Sequence, residues 1–197
     1  MSNLLDTLIG AVQCLADDKI DDARSRILEQ YPHTYTPCEH ASISPYERLK
    51  IYIRDGFIDR YTGKRLIFPN ALRLLSSELG QEVFPYHPNW KMSECHSAYW
   101  TYIPTCDHLI PKTKDGSDAP ENLVTTCMAM NLAKSNSSLE ELGWKLYDGG
   151  CLKDWDGLMG LYWQSIKKHP ELKDAPLIDR SMHNALQRCI KEGIVSF

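Results

Sequence analysis

Five polar residues in the middle of the chain have the types and the spacing that phosphate chemistry needs. Asp107-His108 precedes Leu109-Ile110-Pro111, Asn122 stands before Leu123-Val124, and Asn131 and Lys134 lie in the run Cys127-Met128-Ala129-Met130-Asn131-Leu132-Ala133-Lys134. A neutral imidazole accepts a proton near pH 7. A carboxylate oxygen and an amide oxygen are hard donors suited to Mg²⁺ or Mn²⁺, cations that keep several waters and take phosphate oxygens. Asn131 and Lys134 are three residues apart, so a helix puts them on one face, and a lysine there can neutralise phosphate charge. Alone, His108 would read as an ordinary structural histidine and Lys134 as an ordinary exposed lysine. An asparagine in mid-helix is a poor helix former, and metal ligation supplies a reason for it.

These residues need a strand, a loop, a second strand and a helix to hold them. Ala98 to Leu109 alternates apolar and polar residues and predicts a strand that ends at the Asp-His pair; a polar loop follows to Glu121, then a strand over 123–126 and a helix over 128–142. Upstream, Ile51-Tyr52-Ile53 is β-prone, and Thr62-Gly63 within Phe57–Ile67 predicts a hairpin. A short helix is expected over 72–79, then a proline-interrupted aromatic loop from Phe84 to Trp90. At the N-terminus Leu4, Leu5, Leu8, Val12 and Leu15 recur at helical spacing, and Ile20, Ala23, Ile27 and Leu28 predict a second helix ended by Tyr31-Pro32. After Gly149-Gly150 come two amphipathic helices, roughly 154–168 and 178–192. The order predicts an α+β protein: an N-terminal helical extension and linker over 1–46, a core over 47–144, and a C-terminal helical extension packed on the core over 145–197.

The combination of Asp107-His108, Asn122 and Asn131, with spacings of 14 and 23 residues from His108, resembles the HNH endonuclease family in its H-N-N form. The resemblance covers residues 54–144 and is similar to the HNH domains of RNA-guided CRISPR enzymes; the stretch from Gly143-Trp144 to Leu158 is similar to stand-alone bacterial HNH proteins. It implies a ββα-metal (His-Me finger) core that hydrolyses DNA phosphodiester bonds. On that reading His108 activates water, Asp107 and Asn131 hold one Mg²⁺, with Mn²⁺ able to substitute, Asn122 braces the loop, and Lys134 faces a phosphate. The products would carry 5′-phosphate and 3′-hydroxyl ends. One site nicks one strand; a double-strand break would need a homodimer or two successive nicks. A role in bacterial restriction, phage defence or a mobile element is what the resemblance suggests. The alternatives are an RNA- or structure-specific nuclease, and a catalytically silent HNH-fold module inside a larger complex.

Many family members carry Cys-x-x-Cys pairs around a structural zinc, but no Cys-x-x-Cys occurs in this chain, so no structural zinc is expected. The seven cysteines, odd in number and scattered, read as reduced thiols of a cytoplasmic protein. No run reaches the ~20 apolar residues of a membrane helix. The net charge of −4 gives nucleic-acid binding no general support, so contacts must be local. The basic run Arg54, Arg60, Lys64, Arg65 and Arg73 crosses the hairpin and following helix, and Lys112 and Lys114 flank the site. Of these, Arg60, Arg65, Lys112 and Lys114 are the candidates for a DNA backbone. The acidic balance also allows for a protein partner that recruits the DNA.

Overall fold

A computed structural model describes residues 4–33 and 43–197. The chain divides into two compact units, 1–39 and 40–197. In the first, α1 (Leu4–Ala16) and α2 (Ile20–Gln30) form a helical hairpin turned at Asp18, whose φ is +60°. The small side chains of Ala11 and Ala23 are buried between the helices, and Thr7 at one end donates to the Gln30 side chain. No helix among the described residues is long and apolar enough to cross a membrane.

The second unit is mixed helix with one two-stranded antiparallel sheet. It opens with α3 (Pro45–Arg54), where a β-prone triplet predicts a strand. The stop and start signals outweigh that triplet. Ser44 caps the helix by accepting the Glu47 backbone N–H, Pro45 sits at its first turn, and Leu49 and Tyr52 recur at helical spacing to face the core. The chain leaves α3 through Gly56 and Phe57, both at positive φ. A Cβ on Gly56 would lie 2.3 Å from the Gly150 backbone, so the position needs glycine for space as well as for conformation. The expected hairpin is a tight reversal with one antiparallel bridge, Ile58 to Arg65, rather than two strands.

Then come α4 (Pro69–Leu79) and α5 (Ala98–Tyr102), the latter in the first half of the span that alternation assigns to a strand. Pro104 divides that span: it forces Ile103 into an extended conformation and ends the helix. The strand β1 (Pro104–His108) pairs with β2 (Leu123–Cys127), with Cys106 opposite Thr125, Asp107 opposite Val124 and His108 opposite Leu123. The helix α6 (Met128–Lys134) follows β2 directly and packs on both strands. It stops eight residues short of expectation, because the Ser- and Asn-rich run 135–138 competes for backbone hydrogen bonds. Ser138 then starts α7 (Leu139–Leu142) with a capping box to Glu141.

Two C-terminal helices, α8 (Met159–Lys168) and α9 (Arg180–Lys191), complete the core. Their inner residues Met159, Tyr162, Met182, Leu186 and Cys189 pack with Leu49, Tyr52, Phe57 and Phe68 in one buried cluster. The C-terminal helices therefore share their core with α3, and α3 lies against both strands. The sheet that carries Asp107 and His108 is thus backed by a helix fixed into the main core.

Buried carboxylates join the turn to the sheet. Asp59 accepts from the Tyr61 N–H at 2.9 Å, the Thr126 hydroxyl at 3.0 Å and the Cys127 N–H at 3.1 Å. Asp55 accepts from Arg54 at 2.9 Å, Arg60 at 3.0 Å and the Thr125 N–H at 2.8 Å. Burial pushes the nearby thiols up, Cys106 to about 12 and Cys127 to about 11, so both are neutral at physiological pH.

Candidate functional site

The site is built at the end of β1, where the loop to β2 begins. Asn122 closes that loop: its side-chain oxygen accepts from the Ile110 N–H at 2.9 Å, and its Nδ2 donates to the carbonyls of Ile110 at 3.0 Å and Ser117 at 2.8 Å. The loop is tight enough that a Cβ on Gly116 would lie 1.7 Å from the Ile110 carbonyl oxygen. Its path brings Asp118 back over the strand end. The His108 Nε2 lies 2.7 Å from Asp118 Oδ1, and Lys112 Nζ lies 2.7 Å from the other oxygen. A carboxylate only accepts, so Nε2 carries the proton and Nδ1 of the neutral ring keeps its lone pair. The Lys112 and His108 hydrogen bonds hold the Asp118 carboxyl below the usual carboxylate range, so it stays an anion wherever the imidazole is neutral.

Asp107, the neighbouring residue, is buried. Its Oδ1 accepts from the His108 N–H at 2.8 Å; its Oδ2 accepts from the Tyr61 hydroxyl at 2.6 Å and lies 3.2 Å from Lys134 Nζ. Burial and the bond to Asp107 push the Tyr61 hydroxyl far above the normal phenol range, so Tyr61 acts only as a donor. Across from β1, Asn131 on α6 directs Nδ2 to Thr105 Oγ1 at 3.2 Å and to the Cys106 carbonyl at 3.5 Å. Its Oδ1 has no donor among the described residues. The sheet and α6 therefore set Asn131 against β1, the strand that carries Asp107 and His108.

Two expected contacts fall elsewhere. Lys134 is buried, at 1% exposure, and its ammonium is spent on Asp107 and on the His108 carbonyl at 2.7 Å, so it faces inward and presents nothing to a phosphate. Arg60 is likewise turned inward, held by Asp55 and by the Tyr147 carbonyl. It fastens the turn instead of lining a surface. Arg65 is exposed and lies over the Trp155 ring at 5.2 Å. Lys112 belongs to Asp118, and Lys114 pairs with Glu141 at 2.6 Å, tying the loop to α7. Tyr61 and Asp118 were missed by sequence reasoning; both reach the site through folding back of a turn or loop, which leaves no periodic trace.

Among the described residues no three His, Cys, Asp or Glu side chains converge on a metal position. A cation here would rest on one carboxylate, that of Asp107, the amide oxygen of Asn131 and its own waters, a donor set that suits a hard divalent ion. Chemically the arrangement offers a proton acceptor, His108 Nδ1, oriented by Asp118 at the end of the strand that also carries Asp107. Replacing Asp118 with leucine should lower turnover of a reaction based on His108 by roughly tenfold or more, with KM little changed, because a freely rotating imidazole spends less time in the productive orientation. Asp118→Asn, which keeps an acceptor for Nε2–H, should restore most of that loss; steady-state kinetics on the two variants separates orientation from mere packing.

Compared with known proteins, the chain matches no family model, no curated protein and no solved structure.

Proposed function

We propose that this protein is a metal-dependent HNH-type endonuclease with a ββα-metal site formed by β1, β2 and α6, acting on DNA. The observation that supports the reading is the His108–Asp118 pair at 2.7 Å, which leaves Nδ1 as a proton acceptor at the end of the strand that also carries Asp107. In this reading Nδ1 takes a proton from the attacking water as the new P–O bond forms. Asp118 stabilises the imidazolium that results, and Asn122 keeps the loop from sliding away. Asp107 and Asn131 would hold the divalent ion, which supplies charge stabilisation to the scissile phosphate and its leaving oxygen. The exposed Arg65, and the half-buried Lys112 and exposed Lys114 when they exchange their carboxylate partners for phosphate, are candidate cations for a nucleic-acid backbone.

The test is cleavage of supercoiled plasmid in Mg²⁺, Mn²⁺ or EDTA, beside an RNA of similar length. Metal-dependent nicking of the plasmid is the expected result; cutting of RNA alone would shift the substrate assignment. No cutting of either by protein that binds no Mn²⁺ would remove the enzyme reading. The second reading is a silent module of the same fold, and one observation favours it: the Lys134 ammonium already balances the charge of Asp107.

A further inference from the structure

Lys134 is a buried lysine for which phosphodiester hydrolysis has no task. We propose that its ammonium is the resident counter-ion of Asp107 and must be expelled when a divalent cation enters, so that Lys134 sets the metal affinity of the site. This rests on the nuclease reading above. The Asp107 carboxylate has both oxygens engaged, Oδ1 by the His108 N–H at 2.8 Å and Oδ2 by the Tyr61 hydroxyl at 2.6 Å and Lys134 Nζ at 3.2 Å. Two of these three donors are neutral and the third is a full cation. A dication arriving at Asp107 within a few ångströms of an ammonium meets strong like-charge repulsion in so buried a setting, so the ammonium is the donor that gives way.

The place of Lys134 in the fold permits the exchange. It is the last residue of α6, followed by Ser135 at φ +48° and the polar run to Ser138. The side chain therefore leaves from the last turn of the helix, with no further turn of α6 beyond it. Asn131 stands about one turn earlier on α6, with its Nδ2 directed to Thr105 and the Cys106 carbonyl. The metal and the ammonium compete for one carboxylate, and the second bond of Lys134, to the His108 carbonyl at 2.7 Å, adds to what the metal must displace. Metal entry then also releases the carbonyl of the residue that carries the proposed base.

Lys134→Met keeps the length of the side chain and removes the charge. Mn²⁺ binding followed by electron paramagnetic resonance and calorimetry should be tighter in Lys134→Met than in the parent by about tenfold or more, and absent when Asp107→Asn is added. In the parent protein, the Lys134 ammonium should give a slowly exchanging ¹⁵N signal that is lost as Mg²⁺ saturates the site; this measurement decides the matter even where the variant fails to fold. Equal or weaker Mn²⁺ binding by Lys134→Met, or an ammonium signal that persists in Mg²⁺-bound protein, would overturn the exchange and leave the nuclease reading standing. No Mn²⁺ binding by parent or variant overturns both.

Discussion

If the proposed nuclease reading holds, His108→Ala should cut nucleic acid about 10²–10⁴-fold more slowly than the parent, the range lost when a positioned general base is removed, while melting at nearly the parental temperature. The two halves of that expectation have separate causes. The imidazole makes its side-chain bond to Asp118 in a partly exposed loop, so its removal opens no cavity in the core. The main-chain bonds at this position are the N–H to Asp107 and the carbonyl that accepts from Lys134, and alanine keeps both. The stability change should therefore stay within about 0.5 kcal/mol. Rates measured under single-turnover conditions, beside thermal melts, read the two quantities independently. The loss should exceed that of Asp118→Leu, because the orienting residue acts only through the base. A His108→Ala protein that cuts at the parental rate would remove His108 from the chemistry.

The places of Asp107 and His108 at the end of a strand, and of Asn131 on the helix that follows the second strand, were legible in the sequence. The helices of the first unit and α9 were legible from apolar spacing, which the packed faces of Met182, Leu186 and Cys189 reflect. Elsewhere the periodic signal competed with punctuation. At α3 the sequence Ser44-Pro45-Tyr46-Glu47 is a helix start, and reading it would have overruled the β-prone triplet seven residues on. At 98–109 alternation runs straight through Pro104, although a proline there separates a helical turn from a strand. Partner choice was the least legible. A lysine late in a short helix reads as exposed, and only the packing of α6 on β1 turns Lys134 onto Asp107. Arg60 reads as basic surface until the turn folds it against Asp55. Asp118 becomes the partner of His108 because the glycine at 116 lets the loop double back, a consequence of backbone space that no spacing rule encodes.

Asp55→Ala should be the most destabilising single change near the site, at about 3 kcal/mol, or a fall of roughly 6–12 °C in Tm for a chain of this size. The buried carboxylate receives Arg54, Arg60 and the Thr125 N–H, so alanine leaves a backbone donor unsatisfied in a fully buried strand and two guanidiniums without their anion. Asparagine should rescue little of this, since its amide nitrogen puts a donor against donors. The cost is limited because Arg54 keeps its bonds to the Pro120 and Leu123 carbonyls and Arg60 its bond to Tyr147. Removing the Ser44 cap of α3 supplies a scale, since Ser44→Ala should cost only about 1 kcal/mol. The consequence for chemistry follows from register: Thr125 pairs with Cys106, next to Asp107, so β2 must be anchored for β1 to present the site. Below its melting range Asp55→Ala should still cleave, and activity should fall along the unfolding curve measured by circular dichroism. A variant that melts like the parent would show that the sheet does not depend on this anchor, and one that stays folded but inactive would show that Asp55 governs the site by some route other than holding β2 in place.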